Sequence, residues 1–156
     1  MTCTSTFYAS LNLNFNVSNR FVASYLALEG VEIIQNLRDN NFITGATWNT
    51  GLTNCAAASL GGGCQADYKT GTAVQGSANQ LKAYDPTVFL NVSGDGLYGY
   101  DAGTPTKYTR KIIITRDPSC ASDNPCDDYK VDVQVMWNYQ GTTYTSEAEG
   151  YLYNWY

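Results

Sequence analysis

The sequence contains no histidine, and only 15% of its 156 residues are charged. Without histidine the chain cannot form a Ser-His-Asp or Cys-His nucleophile arrangement, and it lacks the side chain that most often acts as a general base near neutral pH. Zinc sites that use imidazole ligands are excluded for the same reason. We therefore expect no catalytic residues, and a structural or binding protein rather than an enzyme.

Long apolar runs and basic stretches are also missing. No segment reaches the roughly 18 apolar residues of a membrane-spanning helix, and the N-terminus has no basic region followed by an apolar stretch. The net charge of −5 argues against a general phosphate-binding role, which needs a basic surface. If the protein is exported, we expect its export signal to have been cleaved or to lie outside this sequence.

Five cysteines are present, and four of them fall in two loop-like stretches rich in Gly, Ser or Pro. Closing the two short local loops, Cys55 with Cys64 and Cys120 with Cys126, is the simplest of the three connectivities. Two such disulfides indicate an exported protein that folds in an oxidising compartment. The alternative is that reduced cytosolic thiols fill space, although such loops are poor sites for buried thiols. Cys3 is left over and unassigned.

The segment 14–42 has the strongest helical periodicity in the chain. Apolar residues recur there at steps of three and four, which predicts a long amphipathic helix with one buried face. The members of this predicted face are Val22, Tyr25, Leu26, Leu28, Val31, Ile33, Ile34 and Leu37. Gly30 lies inside the segment at a cost of about 1 kcal/mol relative to Ala, so we expect it to pack closely against another backbone.

Beyond the helix the sequence divides into a long loop and a series of strands. Residues 43–86 lose all periodicity and are rich in Gly, Ala, Thr and Asn, which predicts an ordered surface loop cross-linked by the first cysteine pair. Residues 87–156 contain β-type alternation separated by turns. The clearest strand, 129–137, is followed by a predicted hairpin turn at Gln140-Gly141.

These elements together indicate a single α+β domain of residues 1–156. The long helix carries one apolar face, and the later strands offer a sheet that can cover it. We therefore expect an antiparallel sheet packed on the helix, with disulfides closing the loops.

Three segments also follow patterns of a known family. Residues 24–42, SYLALEGVEIIQNLRDNNF, follow LAxEGxExxxNxRDxN-aromatic, and 108–112 follow aromatic-Ser/Thr-Arg-x-Ile. Residues 131–137 follow Val-x-Val-x-Trp, and 152–155 follow Leu-x-Asn-Trp. In these segments and their order the chain resembles bacterial type IV pilin-like proteins, in particular minor pilins of the pilus modification (PilV-type) family. The helix positions that carry the resemblance include Leu26, Glu29, Gly30, Glu32, Arg38 and Asp39.

The resemblance implies a filament subunit. In this family a prepilin is inserted in the inner membrane by an apolar N-terminal helix and is trimmed by a prepilin peptidase. The helices then form the filament core under a layer of globular heads. The chain lacks the family's basic leader and its first 20 or so apolar residues. We therefore expect a soluble head that contacts membrane only through a missing N-terminal helix.

The implied partners are other pilin subunits and the pilus assembly machinery, and the implied location is an extracellular filament at the cell surface, reached by export through the inner membrane. No cysteine lies near the C-terminus, so the terminal staple of many major pilins is missing, which favours a minor pilin. The implied roles are filament assembly, surface adhesion, twitching motility or DNA uptake. A type II secretion pseudopilin is a related alternative.

Two acidic groups have alternative chemical interpretations. Glu29 and Glu32 lie one helical turn apart, and a carboxylate pair can perform acid–base catalysis when one member is desolvated. No nucleophile or metal motif accompanies them, so we expect one to pair with a cation, Arg110 or Lys111, and the other to be exposed.

A second acidic group surrounds Cys120 and Cys126. Its members are Asp117, Asp123, Asp127 and Asp128, which could hold calcium on a short loop. Their spacing does not match an EF-hand, and solvated turn carboxylates are the plainer interpretation. No other cofactor is expected. The abundant tyrosine is also typical of surfaces that bind ligands such as surface or host glycans. A secreted carbohydrate- or calcium-binding module is therefore the second functional alternative.

Overall fold

The computed structural model describes residues 3–55, 62–71, 80–116 and 128–154, with helix side chains from residue 17 onward. Helix α1 runs from Cys3 to Thr44 and has 42 residues. It starts earlier than the predicted residue 14. Residues 3–29 contain no Gly or Pro, the residues that most often interrupt a helix, so the helix extends beyond its apolar stripe.

Helix α1 ends at a left-handed glycine. Gly45 has a φ of +69°, and the Ala46 amide donates to the Asn41 carbonyl at 2.9 Å, which satisfies an acceptor at the helix end. The Thr44 hydroxyl donates to the Asn40 carbonyl at 2.8 Å. The helix therefore ends close to the predicted residue 42.

A main antiparallel sheet of five strands forms in the described part of the chain. In spatial order its strands are β2 (Lys82–Ala83), β1 (Cys64–Gln65), β6 (Tyr108–Arg116), β7 (Tyr129–Tyr139) and β8 (Thr142–Leu152). The long strands pair in register, with Ile112 opposite Val133 and Val133 opposite Ala148. The α+β class with an antiparallel sheet is therefore confirmed.

The β7–β8 hairpin turns where the sequence predicts. Gln140 and Gly141 have φ values of 52° and 78°, the pattern of a two-residue type I′ turn whose twist suits the flanking strands. Gly141 adopts this conformation without steric cost, whereas Gln140 is strained because a side chain disfavours positive φ.

The first part of the predicted sheet is a separate unit. Strand β3 (Asn91–Val92) pairs with β4 (Tyr98–Gly99) and with β5 (Thr104–Pro105), each antiparallel, and these three form a second small sheet. Pro105 has no amide proton, which restricts β5 to a sheet edge. The prediction of one sheet over 87–156 is therefore wrong in this region, because its strands are only two residues long.

The segment predicted as a surface loop contributes to the core. Trp48, Leu52, Cys55 and Cys64 are buried, and Cys64 lies opposite Ile112 in the main sheet. The Cys55–Cys64 disulfide is confirmed. Cys120 and Cys126, the second expected pair, lie outside the described residues, as does Cys3's side chain. The surface-loop prediction is wrong because burial here depends on distant strands rather than on local periodicity.

The core lies between α1 and the inner face of the main sheet. The sheet contributes alternating buried residues, confirmed for Val131, Val133, Val135 and Trp137. A Cβ at Gly30 would lie 2.7 Å from a methyl of Val133, and one at Gly150 would lie 2.5 Å from a methyl of Val31. Gly30 therefore lies against a valine side chain rather than against the expected backbone. Together, Gly30 and Gly150 let the helix approach the sheet closely.

Candidate interaction surface on the long helix

The helix motif is directed mainly toward the sheet. Leu26 is buried, and Gly30 touches the sheet directly. Arg38 is also buried and pairs with Asp39 at 2.7 Å. These motif positions hold the helix in place and leave little of their own surface to a partner.

Arg110 forms the polar centre of the helix–sheet junction. It lies in β6 and is 0% exposed. Its Nη1 donates to the Leu26 carbonyl at 3.1 Å and to a Glu29 carboxylate oxygen at 2.9 Å. Its Nη2 and Nε donate to the Ala66 carbonyl at 2.6 and 3.2 Å. One side chain thus joins the helix, the sheet and the segment that follows the disulfide.

The expected cation partner of the glutamate pair is therefore Arg110. Glu29 forms the ion pair, and Glu32, three residues further along the helix, is exposed. Lys111 instead lies over the ring of Tyr84, with its Nζ 5.4 Å from the ring centre. The two carboxylates do not converge on one site.

A second apolar stripe of α1 faces solvent. Val17, Phe21, Tyr25 and Leu28 are separated by steps of four, four and three, so they lie on one face of the helix. All are at least half exposed, and Tyr25 reaches 71%. This outer stripe lies on the side of the helix opposite the buried Leu26 and Gly30.

Two residues assigned to the buried face belong to this outer stripe. Their spacing puts Tyr25 and Leu28 only at the margin of the buried helix face. The structure leaves both side chains exposed to solvent. The sequence does indicate that a second apolar face exists, because a helix with apolar residues around most of its circumference has a second face to cover.

The acidic group proposed for calcium is mostly outside the described residues. Asp117, Asp123 and Asp127 lie there, and only Asp128 is described, at the edge of β7. Within the described ranges no three acidic or thiol side chains lie close enough together to hold a metal ion.

Two concave regions lie away from the outer stripe. An open, mainly apolar groove of about 490 Å³ at the C-terminal end of α1 is lined by Phe42, Ile43 and Trp48, among others. A polar cleft of about 290 Å³ is lined by Gln65, Asp67, Lys69, Lys82, Tyr100 and Asp101, among others.

Tyr100 lies at the polar cleft with its hydroxyl turned into the protein. Burial raises the pKa of Tyr100 to about 12, and the nearby Arg110 charge only partly offsets this. The hydroxyl is enclosed and has no hydrogen-bond partner among the described residues. Lys69 and Asp101 form an ion pair beside it.

Comparisons with known proteins give no assignment: no protein-family model, curated protein or solved structure matches the chain. Over the described residues, no helix combines the length and the apolarity that crossing a bilayer requires.

Proposed function

We propose that the protein is a structural subunit of a bacterial type IV pilus, a minor pilin that packs into the filament through the outer stripe of α1. The observation that carries the proposal is that α1 is apolar on two opposite sides. The sheet covers one side, and Val17, Phe21, Tyr25 and Leu28 leave the other exposed.

The outer stripe is suited to helix–helix packing. Its members are spaced along the helix axis like a ridge of side chains, and such a ridge can pack into a groove of another helix. Burying each side chain in a neighbouring subunit would contribute about 1 to 2 kcal/mol. Contiguous exposed apolar residues of this kind are uncommon on free monomers and mark contact surfaces.

The resemblance of the helix motif and of the later strands to pilin-like proteins supports the same proposal. In such a filament the sheet and its loops form the outer layer, where they serve adhesion, twitching motility or DNA uptake. The subunit is exported through the inner membrane and works at the cell surface with other pilins and their assembly machinery.

The test is a charge introduced into the outer stripe. Phe21→Glu in the full-length native protein should reduce its amount in sheared surface filaments by about tenfold, since desolvating one carboxylate costs more than 1.4 kcal/mol. Thr145→Glu adds the same charge on an exposed strand position and should leave incorporation unchanged. Equal incorporation of both variants would refute the proposed packing surface.

Photo-cross-linking locates the contact directly. A photoreactive amino acid in place of Tyr25 or Leu28 should cross-link to a neighbouring subunit in assembled filaments, whereas one in place of Thr143 should not. If the protein is absent from surface filaments but is required for secretion of other proteins, it is a pseudopilin and the pilus assignment is wrong.

A further inference from the structure

One end of the main sheet carries a cluster of aromatic rings flanked by two cations. Its rings are Tyr108, Trp137, Tyr139 and Tyr144, all on the inner face near the β7–β8 turn. Trp137 stacks on Tyr144 at 5.6 Å between ring centres and approaches Tyr108 at 6.1 Å. Tyr108 and Trp137 are the buried part of this cluster, and Tyr139 and Tyr144 are partly exposed, next to the point where α1 reaches the sheet.

Arg20 and Lys107 complete this cluster. The Arg20 guanidinium lies 5.7 Å from the ring centre of Tyr144. The Lys107 ammonium lies 5.9 Å from the centres of both Tyr108 and Tyr139. Ring contacts of this kind hold a cation in place without neutralising it.

Both cations are exposed, and neither forms an ion pair with a carboxylate in the described part of the chain. Glu29 is the first acidic residue in the sequence, so the helix around Arg20 has no negative side chain of its own. This end of the molecule therefore presents two cations without a paired carboxylate among the described residues, although the whole chain carries −5.

The negative charges of the sheet lie on its other face. Asp132, Glu147 and Glu149 alternate with the buried inner residues, and Lys130 pairs with Asp132 and Glu149 at 2.8 and 2.7 Å. Side chains on opposite faces of a sheet project in opposite directions, so these carboxylates lie on the face away from the ring cluster.

We propose that this surface, Arg20, Lys107, Tyr139 and Tyr144, binds the headgroups of anionic phospholipids. Unpaired Arg and Lys beside Tyr rings are the combination found at membrane interfaces, where the cation meets phosphate and the ring lies at the headgroup level. The exposed apolar residues Val17 and Phe21 adjoin the cations on the helix and, in a subunit that is not packed in a filament, can enter the acyl boundary.

Single-stranded nucleic acid offers phosphate too, but it is the weaker fit. Its binding sites follow the backbone with a groove of many cations and use exposed ring faces for base stacking. Here the described residues place two cations, Arg20 and Lys107, beside the rings, and Trp137 and Tyr108 are buried. An anionic bilayer surface is flat, so it can contact two cations and the apolar residues beside them without such a groove.

The test uses the purified chain and vesicles of phosphatidylcholine with or without phosphatidylglycerol. We expect sedimentation with the phosphatidylglycerol vesicles only, and loss of binding at high salt. Arg20→Gln and Lys107→Gln should each weaken binding about fivefold. The charge-matched pair Lys69→Gln and Lys82→Gln, in the polar cleft, should bind as the unaltered chain does.

Equal binding to both vesicle types, or equal losses in the two variant pairs, would overturn the proposal. Arg20→Lys with Lys107→Arg preserves both charges and should preserve binding, which separates a charge effect from misfolding. The unaltered chain in a salt series tests the proposal even if the Gln variants fail to fold. Binding of a single-stranded oligonucleotide without vesicle binding would assign the surface to nucleic acid instead.

Discussion

Arg110 reaches from the middle of the sheet to Glu29 on the helix, with 2.9 Å between Nη1 and the carboxylate oxygen. The arginine is fully buried, whereas the glutamate side chain keeps 31% of its surface. The pair therefore stands at the boundary between core and solvent. Because Arg110 also donates to the carbonyls of Leu26 and Ala66, its loss removes one donor from three acceptors at once.

We expect Arg110→Met to lower the free energy of unfolding by about 3 kcal/mol or more, since a buried network loses its central donor. Glu29→Gln should cost less, about 1 to 2 kcal/mol, because the carboxylate is partly solvated. Urea unfolding followed by circular dichroism measures both.

The matched control is Glu32→Gln on the same helical turn. Glu32 is exposed, so the change should stay within about 0.5 kcal/mol. Equal effects of the two Glu→Gln substitutions would show that the ion pair does not stabilise the junction.

The close helix–sheet approach makes its two glycines sensitive to a methyl group. Gly150→Ala places a Cβ against Val31 and should destabilise by about 1 to 3 kcal/mol. Adding Val31→Ala should recover part of this loss. Gly94→Ala, where nothing lies within 4 Å of the new atom, should be neutral in the same thermal-unfolding measurement.

The disulfide joins the segment after α1 to the main sheet. Replacing Cys55 and Cys64 by Ala should lower stability by about 3 kcal/mol, partly through unfolded-state entropy and partly through two small cavities. Guanidinium unfolding of the variant and the parent, both non-reduced, gives the difference. A parent-like midpoint in the variant would contradict a stabilising role.

We expect the protein to lose stability at alkaline pH because Tyr100 is buried. Its folded pKa of about 12 exceeds the unfolded value near 10, so the folded state holds this proton more tightly. The contribution is complete below pH 10 and is lost as the pH rises toward 12, by about 3 kcal/mol in total.

Tyr100→Phe should remove that part of the pH dependence and should leave stability at neutral pH unchanged or higher, because it deletes an enclosed hydroxyl without a partner. Stability measured by urea at several pH values checks this. Tyr25→Phe, at a side chain that is 71% exposed, should retain the alkaline loss.

The sequence predicts the elements whose signal is local. Val131 to Trp137 alternate strictly, and Gln140-Gly141 supplies the turn, so this hairpin follows from period and turn chemistry. The Cys55–Cys64 pair is the simplest of three connectivities, because the two cysteines close a short loop-like stretch. Charge alone left Arg110 or Lys111 as the expected partner of the glutamate pair, and the structure shows the ion pair with Arg110.

Other features depend on contacts that sequence patterns do not reveal. Strands β1 and β2 have two residues each, and they form because Cys64 meets Ile112. The burial of Trp48 depends on contact with Tyr129, 5.2 Å away between ring centres. The spacing of Tyr25 and Leu28 is compatible with either face of α1, so periodicity alone does not show which face the sheet covers.

The position of β8 also limits how copies of the molecule can associate. In the described part of the chain it forms one edge of the main sheet, and such an edge can recruit another strand. Its Glu147 and Glu149 would bring like charges together in most pairings of two copies. Lateral β-type polymerisation, and the amyloid that it seeds, is thereby discouraged.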